Sequence, residues 1–102
     1  MSKYKAVRVE VDGVWFDSKR EAAHYQELKM LARSGVISEL ELQPVFQLIV
    51  NGMKVCTYIA DFRYKDRDGH MCVEDSKGVR TPVYKLKVKL LEALHQVRVI
   101  EV

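Results

Sequence analysis

Residues 58–78 constrain this chain more than any other stretch. Tyr58-Ile-Ala-Asp61-Phe-Arg-Tyr64 and His70-Met-Cys-Val-Glu-Asp75-Ser-Lys77-Gly78 read as two strands joined at Arg67-Asp68-Gly69. A three-residue hairpin loop commonly closes as a type I turn followed by a left-handed residue, and Gly69 stands where that residue must be. Counting outward, Asp66 pairs with His70, Tyr64 with Cys72 and Asp61 with Asp75, with Lys77 two residues further along the same face. On this reading Asp61 continues a strand face made of Val55, Thr57 and Ile59, and Asp75 continues one made of Met71 and Val73. Like charges directly opposite on an antiparallel pair are destabilising. Such a pair calls for a counter-ion, and Mg2+ is typically held by one or two carboxylates together with water and a substrate phosphate. A four-residue loop would instead put the two acids on opposite faces as ordinary solvated charges.

The rest of the chain supplies the frame. At 102 residues it is expected to form one domain, 1–102, with a single core and an N-terminal arm at 1–17. No apolar run approaches the length of a membrane span, and the first residues lack a signal peptide's apolar core, so the expectation is a cytoplasmic protein with no membrane partner. Cys56 and Cys72 fall within predicted strands and are expected as reduced, buried thiols. The formal charge is only +3, yet Lys77, Arg80, Lys85, Lys87, Lys89 and Arg98 face just Glu92 and Glu101 in the C-terminal quarter. Base clustered directly after a carboxylate pair suggests an anionic substrate, with nucleic acid first among candidates.

Taken in order, Val7, Val9, Val11 and Val14, Phe16 alternate around Asp12-Gly13, a strong hairpin signal. Ser18-Lys-Arg-Glu21 reads as a capping box opening a helix that ends near Arg33, before Ser34-Gly35. Helical spacing aligns Glu21 with Tyr25, Leu28 and Ala32, so the glutamate leads the inward stripe and can point into a shared site as well as cap the helix. His24 and His95 receive no chemistry. Residues 37–50 alternate as a half-buried strand bent at Pro44, Asn51-Gly52 marks a tight turn, and 53–64 reads as a central strand, apolar on both faces. Thr81-Pro82 starts a second helix with Val83, Leu86, Leu90 and Leu94 as its predicted buried stripe. Residues 97–102 close the chain as a strand. The expected fold class is α/β (α+β): a central mixed sheet flanked by helices, with an N-terminal β-hairpin.

Asp61, then Asp75-Ser76-Lys77, with a glutamate on the preceding helix, resembles the PD-(D/E)XK nuclease signature on a restriction-endonuclease-like core. Phe16-Asp-Ser18-Lys-Arg-Glu21, Tyr58-Ile-Ala-Asp61-Phe62 and Val73-Glu-Asp75-Ser-Lys77-Gly78, followed by a helix and a final strand, are similar to phage Holliday-junction resolvases of the endonuclease I type. They are similar also to small phage and prophage proteins predicted to be nucleases. The sequence departs from the signature at Ala60, where proline is frequent, and at Asp75, where glutamate is commoner. The resemblance implies a metal-dependent endonuclease acting on branched or duplex DNA in phage or prophage DNA metabolism. Asp61, Asp75 and the Ser76 carbonyl would hold Mg2+ or Mn2+, and Glu21 would complete a metal position. Lys77 would handle the attacking water, and Arg80, Lys85 and Lys89 would contact the DNA backbone, with no organic cofactor. Strand alternation turns Glu74 to the face opposite Lys77, so Asp75 is the expected ligand and Glu74 the reserve. A homodimer is expected, with the N-terminal hairpin as candidate interface. The alternative is a non-catalytic nucleic-acid-binding module or accessory subunit on the same fold.

Overall fold

The computed structural model describes residues 8–76 and 80–102 of the chain. Val9–Val11 (β1) and Val14–Phe16 (β2) close around Asp12-Gly13, whose φ values of 52° and 81° are the left-handed pair that a type I′ turn requires. Lys19–Arg33 forms α1. The Ser18 hydroxyl accepts the Glu21 N–H at 3.1 Å, and the chain leaves the helix through Ser34 and a left-handed Gly35. The helix buries Ala22, Tyr25 and Leu28 against Phe16, Ile37 and Phe62, and the valines of the N-terminal hairpin pack at the edge of this cluster. Tyr25 stacks between Phe16 and Phe62, with ring centroids 5.1 and 6.1 Å away.

Strands β3 (Ser38–Leu42), β4 (Val45–Val50), β5 (Met53–Ile59), β6 (Phe62–Lys65) and β7 (Met71–Asp75) follow, then α2 (Pro82–His95) and β8 (Val99–Glu101). The central sheet has the order β3-β6-β7-β8. Its first three strands are antiparallel, and β8 lies parallel to β7, so the sheet is mixed. The molecule is therefore α+β with an N-terminal β-hairpin, the class expected from the sequence. Of the helices among the described residues, neither is long and apolar enough to cross a membrane.

Two long strands were expected where four short ones form. The segment 37–50 breaks at Gln43-Pro44, and its partner 53–64 breaks at the same level, at Ala60-Asp61. Proline has no N–H to continue a ladder and Gln43 takes a left-handed φ of 49°, which turns the chain. Two hydrogen bonds bridge the bend: Gln43 N–H to the Asp61 carbonyl at 2.8 Å, and Ala60 N–H to the Pro44 carbonyl at 3.2 Å. Beyond the bend, among the described residues, β4 and β5 pair only with each other, as a ribbon. Hence β5 is not a central strand. Val55 and Ile59 lie on an exposed face, and Asp61 does not continue it.

The second correction concerns α2. Thr81 caps it and Pro82 opens it as expected, but the helix is turned by about one residue from the predicted phase. Tyr84 and Leu91 are buried, with Val88 and Leu90 half-buried, against Phe46, Leu48 and Tyr58 of the ribbon. Val83, Leu86 and Leu94 face away from this core. A tyrosine settles the phase: the Tyr84 hydroxyl donates to Glu101 at 2.9 Å while its ring packs 6.3 Å from that of Tyr58. The cysteines are free and half-buried rather than fully enclosed. Leu91, with no exposed surface, should lose about 2–5 kcal/mol of stability on replacement by alanine. Leu86→Ala, at a site 67% exposed, should stay within about 0.5 kcal/mol. Urea unfolding of the two variants reads the helix phase directly, and a reversed order would return the stripe to Val83, Leu86, Leu90 and Leu94.

Candidate functional site

The hairpin register is the one read from Gly69. Asp66 N–H donates to the His70 carbonyl, Gly69 N–H to the Asp66 carbonyl, and Gly69 has φ 81°. The ladder then runs through Lys65↔Met71, Tyr64↔Cys72 and Arg63↔Val73 to Phe62↔Glu74. The four-residue alternative is thereby removed. One pair further on, at Asp61 and Asp75, the regular ladder stops.

Asp61 takes over that junction with its whole residue. Its N–H donates to the Glu74 carbonyl at 3.1 Å, its carbonyl accepts from Gln43, and its Oδ2 accepts the Ser76 N–H at 2.7 Å. The side chain thus occupies the place where a backbone carbonyl would have met Ser76. Asp75 ends β7 at 1% exposure, and the Tyr58 hydroxyl donates to its Oδ2 at 2.5 Å. Burial first, then the hydrogen bond and charge of Asp75, and finally the charge of Asp61, hold the Tyr58 phenol far above the ordinary tyrosine range. One hydroxyl therefore senses both acids. Behind it, burial and the Glu101 carboxylate push Tyr84 up. Tyr84 and Arg80, the latter 2.7 Å from Glu101, in turn hold the Glu101 carboxyl down.

Glu21 reaches the same region from α1. It lines a pocket of about 270 Å3 together with Arg20, His24, Asp61, Phe62 and Ser76. Glu21 and Asp61 also line a second pocket, bordered by Phe16 and Gln43. Glu21 keeps its capping role at the same time, since Ser18 Oγ donates to its Oε1 at 3.3 Å. The structure thus brings Glu21, Asp61 and Ser76 to one pocket; Asp75, buried at the end of β7 with its carboxylate on the α2 side against Tyr58, does not line that pocket, and Glu21, Asp61 and Asp75 do not form a group close enough to share one ion among the described residues. Lys77 lies outside the described residues. Lys85 and Lys89 are exposed on α2, and Arg80 is engaged with Glu101.

Three further residues belong to this region. Glu74, turned to the α1 side of the sheet, is buried between His24 Nε2, 2.5 Å from its Oε1, and the Tyr64 hydroxyl, which donates to its Oε2. Burial and this carboxylate raise the Tyr64 phenol. Glu74 is therefore a tie between α1 and β7, not a reserve for Asp75. The sequence signal for His24 was its place one turn after Glu21 on the same helix face; nothing in the sequence announced Tyr58 as the donor to Asp75. Among the described residues a group of Asp66, Asp68 and His70 also comes together, but it is the hairpin turn itself, with Asp66 Oδ1 accepting the N–H groups of Asp68 and His70.

Compared with known proteins, residues 1–100 match one family model, described as "Protein of unknown function (DUF1064)". No curated protein and no solved structure matches the chain.

The three raised phenols give a pH dependence with a definite sign. A group whose pKa is higher in the folded state stabilises fully below its unfolded value, near pH 10 for tyrosine, and loses that contribution as pH climbs toward the folded value. Absorbance titration at 295 nm should show Tyr58, Tyr64 and Tyr84 ionising together with alkaline unfolding rather than before it. Tyr58→Phe should lower stability by about 1–3 kcal/mol at neutral pH, because a buried carboxylate loses a donor. An early, reversible titration of all the tyrosines would contradict this network.

Proposed function

We propose that the chain, which belongs to the DUF1064 family of proteins of unknown function, is a metal-dependent endonuclease that hydrolyses phosphodiester bonds of DNA. The observation that supports this reading best is Asp61: it leaves the sheet at the point where Asp75 ends β7, and it shares a pocket with Glu21 and Ser76. These donors suit a hard cation. All are oxygens, and each aspartate is oriented by a hydrogen bond to one oxygen, Ser76 N–H on Asp61 and Tyr58 on Asp75, as carboxylate ligands of metals commonly are. Asp61, Asp75 and the Ser76 carbonyl would hold Mg2+ or Mn2+, with Glu21 completing a metal position. A bound cation there would supply charge to offset that developing on the scissile phosphate.

The chain's own residues do the rest. Tyr58 and Ser76 fix the rotamers of the two aspartates before substrate arrives. Lys77, two residues beyond Asp75, would orient the attacking water and accept its proton. Lys85 and Lys89 would meet the DNA backbone, giving salt-dependent affinity with little sequence information, and Arg80 would join them by exchanging Glu101 for phosphate. Structure-selective cleavage of branched DNA, of the Holliday-junction resolvase type, in the cytoplasm of a bacterial host is the form of the activity we favour.

Purified protein should cleave at least one of linear duplex, single-stranded, flap or four-way-junction DNA in Mg2+ or Mn2+, and none in EDTA. Asp75→Asn and Lys77→Ala should each lower the rate by on the order of 100-fold or more while DNA binding persists. Lys85→Ala and Lys89→Ala should each weaken binding and reduce its salt slope by about one. Undiminished cleavage by both site variants removes the mechanism. Metal-independent DNA binding with no cleavage of any substrate favours a non-catalytic module instead.

A further inference from the structure

The proposed chemistry leaves a buried acid and a histidine without a task. The Glu74 side chain is 7% exposed, with the Tyr64 hydroxyl on Oε2 and His24 Nε2 2.5 Å from Oε1. The His24 side chain is 27% exposed, and Phe62 packs on it edge to face, with ring centroids 5.7 Å apart. The imidazole also lines the pocket of about 270 Å3 that Arg20, Glu21, Asp61 and Ser76 share. It is thus fixed by Glu74 and Phe62 and still reaches the pocket. A tie between helix and sheet does not by itself account for this arrangement. Replacing a buried ion pair by packed apolar residues is often neutral or stabilising, so a carboxylate sunk in the sheet to hold an imidazole points to a use for the ring. With Nε2 engaged on Glu74, the nitrogen left to serve that use is Nδ1.

We propose that Arg20 and His24 form a phosphate subsite on α1 that grips the DNA backbone, with Glu74 as the positioning residue that holds His24. Arg20 lies one turn before His24 and lines the same pocket. Side chains at i and i+4 on a helix are neighbours, with Cβ atoms about 5–6 Å apart, so both can reach the oxygens of one phosphate group. Arg20 is exposed, and among the described residues its guanidinium has no hydrogen-bond or ion-pair partner to give up. Its planar fork suits phosphate oxygens. The imidazolium form of His24, lying between the Glu74 carboxylate and a phosphate, would donate from Nε2 to the one and from Nδ1 to the other. Glu21, Glu27 and Asp61 line the pocket too, so an anion enters it together with the cation proposed for Glu21 and Asp61; to that extent the inference rests on the nuclease reading. DNA would then be held by both helices, at α1 beside the proposed ligands and at α2 through Lys85 and Lys89. Contacts of this kind set the position of the backbone and carry little sequence information.

Binding of a short DNA duplex to the full chain, with Ca2+ in place of Mg2+ and the DNA checked as intact, tests the subsite. Arg20→Gln and His24→Gln should each weaken binding by on the order of 5-fold and lower the salt slope by about one. Arg33→Gln, about 20 Å further along α1, should leave both unchanged. Glu74→Gln separates positioning from bulk charge. Removing a negative charge near the site would by itself strengthen binding of a polyanion, so weaker binding by a folded Glu74→Gln protein marks the loss of a held His24. Circular dichroism checks the fold, and the exposed Arg20 carries the test if the Glu74 variant unfolds. In wild-type protein, 15N spectra of the histidine rings should show the His24 signals moving on addition of the duplex and not on addition of inorganic phosphate at the same phosphate concentration. Wild-type affinity in both α1 variants, unmoved His24 signals, or an equal response to inorganic phosphate would each overturn the subsite; tighter binding by Glu74→Gln would overturn the positioning role. Cleavage in Mg2+ is read separately. These binding effects without any cleavage end the nuclease reading and keep the subsite, whereas cleavage and binding untouched by both α1 variants do the reverse.

Discussion

The architecture depends on how the chain satisfies its backbone at the bend. A proline on one strand removes a donor, the partner strand breaks opposite it, and a single aspartate restores the lost connections with its N–H, its carbonyl and its carboxylate. Buried backbone groups left unpaired each cost free energy comparable to a lost hydrogen bond, so Asp61 has a structural reason to be where it is, whatever chemistry it also does. The same bend divides the apolar residues into two clusters, one under α1 and one under α2.

The acids on the two sides of β7 are treated differently. Asp75 meets tyrosine hydroxyl chemistry on the α2 side, and Glu74 is tied to a histidine and a second tyrosine on the α1 side. In both cases a neutral phenol donates to a buried carboxylate, which orients the charge without neutralising it. Glu74, with a partner on each oxygen, is held in place as a strut, which explains why adjacent acids on one strand take unlike roles.

Much of this was legible in the sequence because local chemistry decided it. Gly69 required a left-handed residue and so fixed the register that brings Asp61 and Asp75 to the same end of the hairpin; Asp12-Gly13 and Asn51-Gly52 fixed two more turns. Ser18 and Thr81 placed both helix starts through hydroxyls that accept orphan amides. The errors arose where tertiary contacts outvoted pattern. The stripe Val83, Leu86, Leu90, Leu94 is a sound helical period, yet Tyr84 found both a ring to pack on and a carboxylate to bond, and the helix turned to suit it. Apolar residues on both faces of 53–64 suggested a central strand, although such a composition serves equally for a ribbon with one face left open. Tyr58 and Tyr64 could not have been assigned to their acids, since those contacts depend on distances that no periodicity encodes.

Ala60 belongs to the cluster under α2 and Phe62 to the cluster under α1, with Asp61 between them. The peptide that carries Asp61 is thus the covalent link between two separately packed apolar clusters. A change at this one residue therefore touches the packing of both clusters and the wall of the pocket that Asp61 shares with Glu21 at the same time.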